Sequence, residues 1–179
     1  MTSRDMDDTT ARPVLAAAAL VGAGLVVWFT ARWLAGGGVP YMNDFVAYWA
    51  VGRLLVEGGN PYDVEAILAL QRSIGSRFVD AGVIRNPPWT LPLFLPFASL
   101  DFASGWYAWT LSQVALVGGC AAALWRLFDG RARPAVAIGL AFAFPPALFV
   151  ALGGQIGGML LLGLTGVTWA ISRRKDFLA

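Results

Sequence analysis

The sequence has no histidine and a single cysteine, Cys120, among its 179 residues. The lack of histidine excludes histidine-based catalysis and most zinc or haem sites. A lone cysteine allows neither an intrachain disulfide nor a thiolate cluster. Charge is also scarce, since 13% of the residues are charged, whereas average soluble domains hold about a quarter. These shortages together indicate a membrane protein.

Apolar sequence is abundant instead: 58% of the residues are hydrophobic. The apolar stretches predict four membrane spans, at 14–35, 103–125, 134–152 and 155–171. At 1.5 Å per residue, about 20 helical residues cross a bilayer core of about 30 Å. No acidic residue lies inside any of these spans. The apolar piece 87–100 is shorter and contains four prolines, so we expect it to be re-entrant or interfacial.

Two basic clusters set the predicted topology. They are Arg126, Arg131 and Arg133, and Arg173, Arg174 and Lys175. Lys and Arg favour the cytoplasmic ends of membrane helices, and with four spans both clusters and the N-terminus face the cytoplasm. The same rule explains the net charge of +2 without nucleic acid as a partner. The predicted organisation is a cytoplasmic tail at 1–13, transmembrane helix 1 at 14–35, an extracytoplasmic loop at 36–102, and transmembrane helices 2–4 within 103–179.

The long loop predicts two amphipathic helices. Asp44 is a suitable N-cap for the first, Arg53 and Glu57 form an i,i+4 pair, and Gly58-Gly59 ends the helix. Asp63 caps the second helix, which we expect to continue to Gly82. Such helices would lie flat on the membrane and cover a cavity between the spans. Asp44 would then lie near the lipid headgroups.

The loop also carries a family resemblance. The pattern Asn43-Asp44-Phe45-x-x-Tyr48-Trp49-Ala50-x-Gly52-Arg53-x-Leu55-x-x-Gly58-Gly59-Asn60-Pro61-Tyr62-Asp63 resembles the first extracytoplasmic loop of glycosyltransferase family 87. Asn86-Pro87-Pro88-Trp89 resembles the family's Pro-Pro segment, and Gly154-Gln155 resembles its Gly-Gln motif. The resemblance covers roughly residues 14–172. Family members are longer, and Lys175–Ala179 resembles the beginning of a fifth span, so we expect an N-terminal portion.

The resemblance implies the fold class: an all-α membrane protein with a GT-C-like multi-span helical bundle, of about four transmembrane helices here, and juxtamembrane helices in the first loop. It implies transfer of a hexose, by family default mannose, from a polyprenyl-phosphate carrier. The acceptor would be a hydroxyl of a glycolipid or envelope glycan on the outer side of the bacterial cytoplasmic membrane. The expected partners are the lipid-linked donor, membrane lipids and the acceptor. No cofactor is certain, and a divalent metal ion is an open alternative, although one isolated Asp is a poor site for it.

The resemblance also implies roles for the loop residues. Asp44 is the predicted catalytic base that takes the acceptor proton. Arg85 is the first and Arg53 the second candidate to hold the donor phosphate. The remaining candidates for binding the donor sugar or its phosphate are Tyr48, Trp49, Tyr62 and Gln155.

Structural explanations compete with each of these roles. Asp44 could serve only as a helix cap, and Arg85 and Arg53 could be solvated surface charges. The aromatic residues could pack in a core or an interface, and Gln155 could cap the tight Gly153-Gly154 turn. For the whole chain, the alternative is a non-enzymatic four-span scaffold or transporter subunit.

Overall fold

The computed structural model of the protein describes residues 43–128, 130 and 133–173. All regular secondary structure in this part of the chain is helical. The predicted cytoplasmic tail at 1–13 and the predicted span at 14–35 lie outside the described residues. The all-α fold class therefore agrees with the structure for the part that is described.

The described chain forms α-helices joined by short turns and one longer irregular loop. In order they are α1 (Asp44–Val56), α2 (Val64–Ser73), a 3₁₀ helix (Pro88–Leu93), α3 (Leu95–Ala98), α4 (Phe102–Leu127), α5 (Pro134–Ala143), α6 (Pro145–Leu152) and α7 (Gly157–Arg173). The residues fall into two compact units. One contains residues 43–112 and 151–155, and the other contains 113–150 and 156–173 within the described ranges.

Helix α1 begins one residue earlier than the sequence motif suggests. The N-cap is Asn43, whose extended backbone (φ −139°, ψ 109°) lets its side-chain oxygen accept a hydrogen bond from the Phe45 amide at 2.9 Å. The prediction that Asp44 is the cap is therefore wrong, because Asn43 already occupies that position. Asp44 is the first residue of the helix.

Helix α1 is a core helix and not an amphipathic helix on a surface. Eight of its 13 residues are buried, on all of its sides: Phe45, Val46, Tyr48, Trp49, Ala50, Val51, Gly52 and Leu54. The prediction of a flat amphipathic helix is wrong for α1, because the 3₁₀ helix and α3 pack against it. Gly52 makes this contact possible, since a Cβ on it would lie 2.6 Å from the Ala98 Cβ. The Pro-Pro segment thus packs against the helix that carries Asp44.

Helix α2 is amphipathic but shorter than predicted. Asp63 caps it as expected, accepting hydrogen bonds from the Glu65 and Ala66 amides at 3.1 Å. The helix ends at Ser73, well before Gly82, because Gly75 adopts a positive φ of 88° that a right-handed helix cannot contain. Residues 76–86 consequently form an irregular loop instead of helix.

Helix α4 is the strongest membrane-span candidate in the described residues. It has 26 residues, agrees with the predicted span at 103–125, and only 28% of its most apolar stretch is buried. The core helix of a soluble protein would be mostly buried. Helix α7, predicted as a span at 155–171, has 17 residues and is about 26 Å long, less than the roughly 30 Å of a bilayer core.

The predicted span at 134–152 is bent in the structure. Helices α5 and α6 meet at Phe144 with a bend of 79°. Pro145 causes the break, because a residue before proline is driven out of the helical region, and Phe144 is extended (φ −85°, ψ 115°). A pair of helices bent this much is either a broken span or a re-entrant loop.

Within the second unit, a polar contact joins α4 to α7. Gln113 is fully buried, and its Oε1 accepts a hydrogen bond from the Gly158 amide at 2.9 Å. A Cβ on residue 158 would collide with that same oxygen, at 2.5 Å. Small residues that let a polar side chain reach the neighbouring backbone are typical of packed membrane helices.

Candidate active site

A cavity of about 400 Å³ opens beside the first turn of α1. One wall is α1, through Asn43, Asp44, Ala47 and Tyr48. The opposite wall is the irregular loop, through Phe78 and residues 81–86. All of these residues belong to the first compact unit. The cavity brings together three of the predicted site residues: Asp44, Tyr48 and Arg85.

The backbone of Asp44 is fixed by the Gly153-Gly154 turn. The Asp44 amide donates to the Gly153 carbonyl at 2.9 Å, and the Trp109 indole Nε1 donates to the Gly154 carbonyl at 3.0 Å. Gly154 has φ +69°, and a Cβ there would lie 2.8 Å from the Phe45 Cβ. Only glycine combines that conformation with so close an approach. The Gly153-Gly154 turn therefore anchors the start of α1.

The Asp44 carboxyl group is exposed, yet the surrounding protein partly withdraws it from water. This desolvation raises the pKa of Asp44 above its ordinary value, because the charged form loses hydration. Burial, with a smaller contribution from the Asp44 charge, raises the pKa of Tyr48 to about 12. A carboxylate with a raised pKa is a stronger base than a free aspartate, while the Tyr48 hydroxyl keeps its proton.

An aromatic cluster supports the α1 wall from behind. Tyr48 stacks on Phe94, with ring centroids 4.4 Å apart and planes 3° from parallel. Trp109 is fully buried and contacts the rings of Phe45, Tyr48, Phe94 and Phe97. Each such pair adds about 0.5–1.5 kcal/mol beyond area burial. The cluster fixes the helix face that carries Asp44 and Tyr48.

The opposite wall is held by Gln71 of α2. This side chain is fully buried, its Nε2 donates to the Gly82 carbonyl at 2.8 Å, and its Oε1 accepts from the Gly82 amide at 2.9 Å. One amide side chain thus satisfies both backbone groups of Gly82. Because Arg85 follows three residues later, Gln71 fixes the loop that carries the cavity's arginine.

Replacing Gln71 with leucine should destabilise this loop. Leucine is similar in size to glutamine but is apolar, so it leaves the Gly82 amide and carbonyl unpaired. The cost is roughly 1–3 kcal/mol. We expect a lower unfolding free energy and faster hydrogen exchange at the Gly82 amide. Arg72→Leu is the control, since its exposed Nη2 only reaches the Val79 carbonyl at 3.4 Å; we expect a change below about 0.5 kcal/mol. Equal effects of the two variants would contradict this account of the wall.

The other predicted site residues lie away from the cavity lining. Arg53 pairs with Glu57 at 2.7 Å, as the i,i+4 spacing predicts. Trp49 is buried, and its Nε1 donates to the Leu100 carbonyl at 3.1 Å. Tyr62 is exposed on the turn after α1, and Gln155 is exposed beside the Gly153-Gly154 turn. Their roles toward the sugar or the phosphate stay predictions.

Four residues that shape the cavity were not among the predicted site residues: Asn43, Gln71, Trp109 and Gly154. Asn43 stands directly before Asp44, and a cap search that tested both residues would have considered it. Gln71 is a polar residue on the apolar side of α2, which is a recognisable signal for a buried hydrogen bond. Trp109 lies in an apolar run and carries no signal of its contact with residue 154.

We also searched the described residues for side chains that could bind a metal ion together. Within the described ranges, no group of three or more acidic, histidine or cysteine side chains is placed to hold a metal ion. The divalent ion therefore stays an open alternative for the donor phosphate.

Comparison with known families matches residues 85–179, just over half of the chain, to a family of glycosyltransferases. Together with the long apolar helix α4, this match defines a membrane-associated glycosyltransferase. The chain belongs to glycosyltransferase family 87. Comparisons with curated proteins and with solved structures give no match.

The matched range divides the predicted site. It contains Arg85, the Pro-Pro segment and Gly154-Gln155, and it begins after Asp44, Tyr48 and Tyr62. The geometry of the first unit joins the two parts, because the Asp44 amide bonds to Gly153 and Arg85 faces the same cavity. Family membership favours an enzyme over the non-enzymatic scaffold or transporter subunit.

Proposed function

We propose that the protein transfers a hexose, with mannose as the first candidate, from a polyprenyl-phosphate carrier to a hydroxyl group of a glycolipid or envelope glycan. The reaction takes place at the extracytoplasmic face of a bacterial cytoplasmic membrane, on a GT-C-type helical bundle. The observation that carries the proposal is the cavity lined by both Asp44 and Arg85, in a chain of a glycosyltransferase family.

Asp44 acts as the general base in a single inverting displacement. The acceptor oxygen forms a bond to the anomeric carbon as its proton passes to the Asp44 carboxylate. The bond between the anomeric carbon and the phosphate oxygen breaks, and its electron pair leaves with the polyprenyl phosphate. The raised pKa of Asp44 suits this step, since a base is most effective when its pKa approaches the working pH.

Arg85 supplies the positive charge for the leaving phosphate. Its side chain is exposed at the cavity, and within the described part of the chain no acidic side chain forms an ion pair with it. A guanidinium that no carboxylate neutralises can bind phosphate oxygens through two parallel hydrogen bonds. Arg53 is the weaker candidate because Glu57 already accepts a hydrogen bond from its Nε.

The donor class can be tested directly. Membranes that contain the protein are incubated with polyprenyl-phospho-mannose labelled in the sugar, or with GDP-mannose, and extracted glycolipid and glycan are counted. We expect label to move only from the lipid-linked donor, at least tenfold above membranes lacking the protein. The nucleotide-sugar arm needs an inhibitor of polyprenyl-phosphate mannosylation to prevent conversion of one donor into the other. Transfer from GDP-mannose under that inhibitor, or no transfer from either donor, would contradict the proposal.

A further inference from the structure

One wall residue of the cavity has an unused hydrogen-bond donor. Asn43 is 4% exposed, and its Nδ2 has no hydrogen-bond partner in the described part of the chain. Its Oδ1 accepts from the Phe45 amide at 2.9 Å, so the cap bond fixes which end of the side-chain amide is the free donor. Leaving such a buried donor unpaired costs about 1–3 kcal/mol. Such a group needs an explanation, and the cavity that Asn43 lines offers one, a ligand that supplies the missing acceptor.

The surroundings determine what Nδ2 can bind. The neighbouring Asp44 carboxylate repels an anion, and the first amides of α1 are already used: Asp44 N donates to the Gly153 carbonyl and Phe45 N to the Asn43 side chain. The start of α1 therefore offers no free amides for a phosphate. An uncharged oxygen suits a neutral donor next to a carboxylate, and sugar hydroxyl groups supply such oxygens.

We propose that Asn43 is a substrate-positioning residue whose Nδ2 donates a hydrogen bond to a hydroxyl oxygen of the sugar substrate that lies against Asp44. The inference rests on the proposed function and deepens it. Asn43 thereby has two bonds from one side chain: Oδ1 fixes the helix that carries the base, and Nδ2 orients the sugar beside it. The hydroxyl belongs either to the transferred sugar or to the acceptor, and the experiment separates the two.

Asn43→Ser is the principal test variant. Serine is nearly as good a helix cap as asparagine, so α1 should begin as before, while the Nδ2 donor is lost without a change of charge. With polyprenyl-phospho-mannose as donor and octyl mannoside as acceptor, we expect KM to rise about tenfold for the substrate that Nδ2 contacts. A rise for the donor assigns the hydroxyl to the transferred sugar, and a rise for octyl mannoside assigns it to the acceptor. The acid limb of the pH profile should not move, because Asp44 is untouched.

A second variant at position 43 and a control at another cap residue complete the experiment. Asn43→Asp also preserves the cap and replaces the donor by an acceptor, so its KM should rise at least as much as that of Asn43→Ser. Asn60→Ser is the matched control, since the Asn60 Oδ1 accepts from the Tyr62 amide at 3.0 Å in the same way, on an exposed turn away from the cavity. Thermal unfolding of each variant is followed in parallel to show that it is folded.

Two outcomes would overturn the inference. Unchanged KM values for both substrates in folded Asn43→Ser and Asn43→Asp would show that Nδ2 binds no substrate. A fall in kcat alone, with both KM values intact, would show that Asn43 acts only through the placement of Asp44. In either case transfer by the wild-type protein would still support the proposed function. Loss of transfer from the lipid-linked donor in the wild type would instead remove the proposed function itself.

Discussion

Asp44→Asn is expected to lower kcat for sugar transfer by about 10²–10⁴-fold, the range that a positioned general base contributes. Asparagine has the same shape and can occupy the same cavity wall, but it cannot accept the proton of the attacking hydroxyl. The measurement is initial transfer rates in membranes with labelled polyprenyl-phospho-mannose, over a range of donor concentrations. KM for the donor should change little, because the role proposed for Asp44 lies in the transition state.

Asp63→Asn provides the matched control for this variant. Asp63 is an acid of the same loop whose carboxylate only caps α2, and asparagine caps a helix equally well. We expect wild-type rates within about twofold, since surface changes away from special features usually matter little. If Asp44→Asn retains wild-type kcat while remaining folded, Asp44 is not the base.

The pH dependence of the wild-type transfer rate should reveal the titration of Asp44. A base is active when it is deprotonated, so transfer should fall as the pH drops through the raised pKa of Asp44. The acid limb should therefore lie above the ordinary pKa of aspartate, and it should be absent in Asp44→Asn. Tyr48, with a pKa of about 12, stays protonated throughout this range and adds no limb.

The stability of Asp44→Asn should move in the opposite direction from its activity. A folded-state pKa above the unfolded value means that the protonated form stabilises the fold, and that this stability is lost as pH rises through the folded pKa. Asparagine is neutral and avoids that loss. At neutral pH the variant should be at least as stable as the wild type. Such a gain with lost function is typical of active-site residues.

Gly154→Ala is expected to disrupt the site through the backbone. The positive φ of residue 154 strains any Cβ-bearing residue, and the added methyl would meet the Asn43 Oδ1 and lie 2.8 Å from the Phe45 Cβ. Strain and overpacking together should cost about 2–4 kcal/mol. The collision lies at the helix start that carries Asp44, so transfer should fall at least tenfold. Thermal unfolding and transfer rates measure the two effects.

Gly163→Ala is the control for the glycine effect. A Cβ on Gly163 meets nothing within 4 Å, and the residue lies inside α7. Alanine favours a helix over glycine by about 0.5–1 kcal/mol, so this variant should be neutral or slightly stabilising. Equal losses at positions 154 and 163 would contradict a local collision and indicate a general sensitivity to glycine replacement.

Local signals in the sequence predicted some elements of the fold well. Residues 103–125 are mostly apolar and contain no charged residue, and α4 forms there. Asp63 before α2 and Gly58 after α1 act as the expected boundary residues, with Gly58 at φ 75°. The error at the α1 cap arose because the signal of Asp44 outweighed that of Asn43. Hydropathy predicted the apolar run 134–152 but not its bend at Pro145, because it averages across such a break.

The candidate site was only half predictable, for a related reason. Asp44, Tyr48 and Arg85 carry chemistry that their residue types reveal, and all three line the cavity. Trp109 and Gly154 matter because of long-range contacts, and their own surroundings in sequence do not reveal those contacts. The sequence analysis assigned the helix cap to Asp44 and so missed Asn43. The φ of −139° at Asn43 and its cap bond decide where the helix begins.

The pairing of the Asp44 amide with the Gly153 carbonyl has a consequence for biogenesis. Residue 153 leaves the ribosome long after residue 44, so the start of α1 cannot reach its final geometry until residue 153 of the 179 has been synthesised. Contacts between such distant parts of a chain form late and slowly. A nascent chain halted before residue 153 should therefore already contain Asp44 but lack the bond that fixes its backbone.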